Sequence, residues 1–296
     1  MTANVKTDIL KIEAAGNDFI FFSIDQGVPT PGRVQALCNR HFGIGADGFV
    51  VMEMLDSHHS RWQFFNNDGS YAAMCGNAAR AAAAWLKYAG QSFPHHLETG
   101  FGEVILGEHV MTEPHGFTAR VPYENKPLSI QPITTDTAHD TSGLIAGPAK
   151  LIDTGVPHAV IEVREPVLGL ANEHRERLRS IAARFRWPKE AGTGGSNVTF
   201  YSRIAKNPGD MPAIESVTFE RGVEDLTLAC GTGVLAAAVV ASGLSLEATS
   251  STWPTKGFEV RTPGATLWAE SKDFPFSLTL VGPANIVFSA KLVSSR

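Results

Sequence analysis

Short apolar runs bounded by Gly, Pro, Asn and Asp recur along the chain: Phe19 to Ile24, Phe49 to Met54, Val104 to Leu106, Ala159 to Val163, Asn197 to Tyr201, Val217 to Glu220 and Ser277 to Val281. Runs of this length, rich in β-branched and aromatic residues and closed by turn formers, read as strands. Helical spacing is confined to four stretches, about Pro31 to Arg40, Asn77 to Tyr88, Glu173 to Phe185 and Thr232 to Ser242. Many strands with few helices, and no regular βα alternation, predict an α+β fold.

Two of the four helical stretches share a preface. Cys75-Gly76-Asn77-Ala78 leads into Ala79-Arg80-Ala81-Ala82-Ala83-Ala84-Trp85, and Cys230-Gly231-Thr232-Gly233 leads into Val234-Leu235-Ala236-Ala237-Ala238-Val239-Val240. Asn77 and Thr232 are favourable N-cap types, and the preceding glycine lets the backbone turn. A helix apolar all round is normally buried. Each half of the chain is therefore predicted to hold a central helix with a cysteine at its N-terminus. About one domain length separates the copies, so the reading is two similar domains. A boundary is expected near Tyr123 to Ile130, where ENKPLSI breaks the pattern, which assigns 1–123 plus 282–296 to one half and 124–281 to the other. The strand-like run Ile286 to Leu292 in the tail from Gly282 is expected to return to the first sheet.

Composition narrows the class. The chain has 296 residues, 43% hydrophobic and 19% charged, with a formal net charge of −5. That length suits about two domains, and the charge gives no basic footprint for nucleic acid or anionic membrane. No uncharged apolar stretch reaches bilayer length, and the N-terminus lacks a secretory pattern. Three cysteines without a CxxC pair point to a reducing, cytoplasmic setting and free thiols. Gly43-x-Gly45-x-x-Gly48 spells a dinucleotide fingerprint but runs into a strand-like segment, so its required context fails. The adjacent pairs His58-His59 and His95-His96 do not make a zinc motif. GTGGS from Gly192 to Ser196 reads as a flexible loop, not a phosphate cradle.

The paired cysteines carry the chemistry. A thiol pKa of about 8.5 falls at a helix N-terminus, where free backbone N–H groups also bind carboxylates. Inverting a stereocentre by proton transfer needs a base on one face of the carbon and an acid on the other, with matched pKa values. The carbanion spreads into the adjacent carboxylate, where preorganised N–H donors stabilise it. Neither a metal nor pyridoxal is required. Cys38, alone in VQALCNRHF, reads as a buried small hydrophobe.

At this point the chain resembles the diaminopimelate epimerase family. The matching segments are Gly16-Asn17-Asp18-Phe19, Arg40-His41-Phe42-Gly43-Ile44-Gly45-Ala46-Asp47-Gly48, Asn66-Asn67-Asp68-Gly69-Ser70 and Met74-Cys75-Gly76-Asn77. Thr154-Gly155-Val156-Pro157-His158, Ser196-Asn197-Val198, Glu220-Arg221-Gly222-Val223, Ala229-Cys230-Gly231-Thr232-Gly233 and Gly282-Pro283-Ala284 follow in order. The resemblance implies two pseudo-symmetric domains, each a small, mostly antiparallel sheet around a central helix, with the active site in the cleft between them. It implies interconversion of LL- and meso-2,6-diaminopimelate, a step towards lysine and peptidoglycan, with Cys75 and Cys230 as the acid/base pair and no cofactor. Gly76, Asn77, Gly231 and Thr232 would hold the reacting carboxylate. Asn17, Asn66, Asn197, Glu220 and Arg221 would grip the substrate, and His158 and Glu220 would tune the thiols or the ammonium group. The partner is thus a small amino acid; a homodimer is allowed but not fixed. The chain departs from the family pattern at Val156 (commonly Asn), Ala78 (commonly Gly) and GVEDLTLA, which is one residue long and has Leu226 where a Glu is expected. A racemase of another amino acid, a thiol redox protein and a non-enzymatic amino-acid-binding protein are the alternative readings.

Overall fold

The computed structural model describes residues 9–109, 116–123, 128, 130–133, 143–243 and 253–292. The chain divides into two compact units, Met1–Val121 with Val281–Arg296, and Pro122–Leu280. Of the junction expected from sequence, residues 124–127 and 129 lie outside the described residues.

The first unit opens with β1 (Ile9–Ala14) and β2 (Asn17–Ser23), an antiparallel hairpin. Its turn residues Ala15 and Gly16 both have positive φ, 56° and 89°. That is the two-residue turn whose twist matches paired strands, and it sets Asn17 as the first residue of β2. Helix α1 (Pro31–Cys38) crosses over to β3 (Gly48–Met54), which pairs parallel with β2. A parallel pair needs such a crossover. Gly48 opens a strand, so the glycine fingerprint is no nucleotide motif. Then β4 (His59–Asn66) pairs antiparallel with β3, and α2 (Gly76–Tyr88) carries the chain to β5 (His95–Glu98), parallel to β4. Antiparallel β6 (Glu103–His109) and β7 (Gly116–Pro122) follow.

The second unit repeats this order. After β8 (Ile130–Pro132), β9 (Lys150–Asp153) and β10 (Pro157–Glu162) form an antiparallel pair. Helices α3 (Val167–Glu173) and α4 (Arg175–Phe185) cross to β11 (Asn197–Ile204), parallel to β10. β12 (Ala213–Glu220) returns antiparallel, with the two-residue β13 (Asp225–Leu226) on its end. Helix α5 (Gly231–Ala241) leads to β14 (Phe258–Arg261), parallel to β12, and antiparallel β15 (Thr266–Glu270) follows. β16 (Ser277–Pro283) takes the chain back to β17 (Asn285–Ala290), which joins β1 antiparallel, as the tail pattern predicted.

From β1 to β6 the pairings run antiparallel, parallel, antiparallel, parallel, antiparallel, and β9, β10, β11, β12, β14 and β15 repeat that series. The fold is α+β, with two like units. Each central helix is buried nearly end to end: α2 from Gly76 to Leu86, and α5 throughout. The former packs on β1, β2, β6 and β17, and the latter on β9, β10, β11, β12, β14 and β15. Both helices are Ala-rich because strands on several sides leave little room for larger side chains. Apolar cores fill the other faces, around Ile20, Val34, Phe49 and Phe65 in one unit and Leu170, Ile181, Phe200 and Val217 in the other.

Two expectations need correction. The helix read over Glu173 to Phe185 is α4, and a further helix not read from sequence, α3, precedes it across a break at His174 (φ −132°, ψ 38°). Val167, Leu170 and Ala171 already turn a helical face into the core before that break. The GTGGS loop is partly wound into a 3-10 turn, Lys189–Gly194. It is docked on Arg186, whose carbonyl accepts the Ser196 N–H at 3.0 Å.

Candidate active site

Both cysteines stand at the N-cap of a central helix. Cys75 (φ −146°, ψ 117°) and Cys230 (φ −118°, ψ 110°) are extended, and Gly76 and Gly231 are the first helical residues. This corrects the sequence expectation that Asn77 and Thr232 would cap. Those two sit one residue inside the helix, and their side chains point into buried hydrogen-bond networks instead. Neither cysteine side chain caps its helix. The first N–H groups of each helix have no acceptor within it and so present partial positive charge. Both cysteines are half-buried and unlinked, whereas Cys38 is buried, and burial pushes its thiol up to about 12.

In the first unit the Asn77 amide donates to Asn17 Oδ1 at 2.6 Å, and Asn17 donates to Asp47 Oδ2 at 3.1 Å. Arg80 Nη2 donates to Asn77 Oδ1 at 2.5 Å. Asp47 and Asp18 are in turn held by Arg40, at 2.6 and 2.7 Å, and Lys11 lies 2.8 Å from Asp18. Burial alone would raise the Asp18 pKa, but hydrogen bonds from Arg40 and Lys11 outweigh it and keep the carboxyl well below its usual range. Asn66 is exposed at the end of β4 and donates to Ser70 Oγ at 2.9 Å within its own turn. It stands outside the Asn17–Asn77 network.

In the second unit the chain of contacts is continuous. Cys230 Sγ lies 3.4 Å from Thr232 Oγ1, which is 2.9 Å from His158 Nε2. His158 Nδ1 is 2.8 Å from Thr199 Oγ1, itself 3.0 Å from Thr218 Oγ1. The register of β10 with β11 places His158 beside Asn197, whose Oδ1 accepts the Arg221 N–H at 2.8 Å. The Arg221 side chain is exposed and donates to the Gly194 carbonyl at 3.3 Å. Glu220 accepts a short hydrogen bond from the Thr227 hydroxyl. Burial lowers the His158 pKa to about 3, so the imidazole is neutral at working pH; Asp153 opposes that shift and Arg221 adds to it. A neutral ring between two hydroxyls has one donor and one acceptor nitrogen, and the rotating hydroxyls match either tautomer.

The structure thus groups Cys75, Gly76, Asn77 and Asn17 in one unit, and Cys230, Gly231, Thr232, His158, Asn197, Glu220 and Arg221 in the other. The second helical residue of each central helix bonds a polar side chain at the start of the second strand of the repeated series, Asn77 to Asn17 on β2 and Thr232 to His158 on β10. Sequence reasoning missed Arg80, Thr154, Thr199 and Thr218. Thr154 Oγ1 donates to the Thr232 carbonyl at 2.8 Å. Two signals were present: an arginine inside an alanine helix, and polar residues at alternate positions 197 and 199, which share one face of a strand. Among the described residues, no group of His, Cys, Asp and Glu is placed to hold a metal ion, and no helix is long and apolar enough to cross a membrane.

The fold is one that a solved epimerase shares. A hydroxyproline epimerase from Agrobacterium vitis, crystallised with trans-4-hydroxy-L-proline, superposes with a TM-score of 0.64 at 17% identity, over 98% of this chain and 93% of its own. The sequence pattern of diaminopimelate epimerase matches residues 9–109. The diaminopimelate epimerase of Campylobacter jejuni subsp. doylei is 33% identical over 75% of this chain and 76% of its own length. That of Chlorobaculum tepidum is 34% identical over 94% and 98%. The chain belongs to the diaminopimelate epimerase family and is an isomerase.

Proposed function

We propose that the protein interconverts LL- and meso-2,6-diaminopimelate by passing an α-proton between Cys75 and Cys230. The observation that carries this reading is the duplicated device: a half-buried cysteine as N-cap, a glycine in the first helical position, and a buried anchor one residue on. The reaction calls for a thiolate on one face of the α-carbon and a thiol on the other. The thiolate takes the α-proton, the electron pair spreads into the carboxylate, and the opposite thiol returns a proton with inverted configuration. The N–H groups from Gly76-Asn77 and Gly231-Thr232 suit the carboxylate because the helix termini favour negative charge there. Anchoring by Asn17 and His158 keeps those donors fixed, so little reorganisation is needed as charge develops. Arg221 has the planar fork that pairs with the distant carboxylate, with Glu220, Asn197 and Asn66 as further polar partners.

Proton NMR of the reduced protein with LL-2,6-diaminopimelate in D2O tests the reading. Loss of the α-proton signal as meso product forms is expected, with Cys75→Ser and Cys230→Ser each slowing turnover by about a thousandfold or more. Exchange with other amino acids but not with diaminopimelate would transfer the assignment to another racemase, consistent with the apolar Val156. Full activity of either serine variant would reject the two-thiol mechanism.

A further inference from the structure

Arg80 is the one charged residue inside the apolar stretch of α2, and it is completely buried (0% exposed). A guanidinium taken out of water is costly unless it is paired. Here the compensation is neutral: Nη2 donates to Asn77 Oδ1 at 2.5 Å and Nη1 to the Pro283 carbonyl at 2.9 Å. Its Nε is buried with no hydrogen-bond partner. Helical side chains lean towards the N-terminus, and the bond to Asn77, three residues earlier, puts the guanidinium at the level of the first turn. Cys75 caps that turn.

Among the other charged groups around α2, Glu13 also acts on Arg80. On β1, Lys11 pairs with Asp18 of β2, and Glu13 accepts hydrogen bonds from Asn285 and the Gly16 N–H. On β6, Glu108 pairs with Lys87 and Glu103 with His96; His109 is the remaining titratable group, and β17 brings none. Burial lowers the Arg80 pKa to about 10, with Cys75 and Glu13 opposing the shift, so the group remains cationic at neutral pH. The second unit has no counterpart. Leu235, 2% exposed, occupies the same place in α5, and Cys230 looks onto the Thr232 hydroxyl with neutral His158 behind it.

We infer that Arg80 is a positioning residue for the first thiol: its buried charge makes Cys75 the more acidic of the two, and its grip on Asn77 fixes the helix start. The inference rests on the two-thiol reading of the reaction, but its test needs no turnover. Iodoacetamide alkylation of the reduced, full-length protein is followed against pH, with Cys230→Ser reporting Cys75 and Cys75→Ser reporting Cys230. Cys38, buried and poorly acidic, stays silent below about pH 10. The midpoint for Cys75 is expected about one unit or more below that for Cys230. Adding Arg80→Met should raise the Cys75 midpoint by about one unit and leave that of Cys230 in place, while Arg80→Lys restores most of the difference. Equal midpoints in the Arg80 protein, or the reverse order, would overturn the inference even if Arg80→Met fails to fold. So would a folded Arg80→Met protein with an unmoved Cys75 midpoint. Absence of diaminopimelate turnover would leave the thiol order untouched, so the two failures are distinguishable.

Discussion

At Gly233 one hydrogen atom separates a working helix start from a blocked one. A Cβ there would lie 2.4 Å from Thr218 Oγ1 and 3.0 Å from Thr199 Oγ1, the hydroxyls that complete the His158 chain. The matching position of α2 is Ala78, fully buried inside regular helix, so the first unit accommodates the methyl that the second cannot. Gly233→Ala is expected to lower stability by about 1–3 kcal/mol in urea unfolding and to cut turnover at least tenfold. An unchanged unfolding midpoint would mean the threonines move aside freely. Leu226 teaches the complementary lesson. By family pattern it looks like a change in the substrate shell, yet it is 7% exposed and packs in the core of its unit. A sequence position says which residue differs, not which way its side chain turns.

About half of the elements were legible, while strands such as β1, β4 and β14 and the helix α3 were not read. Each apolar run read as a strand lies within or against one, because alternating or continuous apolar positions must meet a buried face. Helix ends were less so. Cys-Gly resembles a lead-in to an Asn or Thr cap, but Asn77 and Thr232 bond to Asn17 and His158, partners distant in sequence, and the extended residue is the cysteine. The start of β2 depends similarly on long-range pairing: Asp18 meets Lys11 on the neighbouring strand and Arg40 beyond α1. Lys11 is buried, so removing its counter-charge leaves an ammonium in a poor solvent. Asp18→Asn is expected to cost about 3 kcal/mol, read by chemical denaturation, and to loosen Asn17 next to it. A loss below about 0.5 kcal/mol would show these pairs behaving as surface ion pairs.

For the whole molecule, the buried neutral imidazole makes stability depend on pH. Unfolded, His158 titrates near 6.5; folded, it does so near 3. A lowered folded pKa means that the unfolded chain binds the extra proton. The stabilisation is therefore complete above about pH 6.5 and is lost progressively as pH falls towards 3, at about 1.4 kcal/mol per unit. Burial also lowers His95, so the overall slope is not that of His158 alone. His158→Gln should make the stability profile between pH 6.5 and 4 shallower by about one proton, measured by urea unfolding across that range. Profiles of equal slope would show that His158 is hydrated and titrates normally. At this scale the repeat is far deeper than sequence suggests. Two Cys-Gly copies were visible, but the shared series of parallel and antiparallel pairings appears only when distant strands find their neighbours.

The sequence by itself determined what local chemistry controls: strand and helix periodicity, the two Cys-Gly helix starts, and motifs enough to resemble one family. Those features survive as short-range patterns because turn sterics, burial periodicity and side-chain chemistry act over a few residues. Tertiary structure alone decided that a histidine from β10, threonines from β11 and β12 and a cysteine at the start of α5 form one chain of contacts. It alone showed that an arginine in an alanine helix is sealed at the first turn. Such groupings depend on strand register and buried polar pairing between residues far apart, which a linear pattern does not encode.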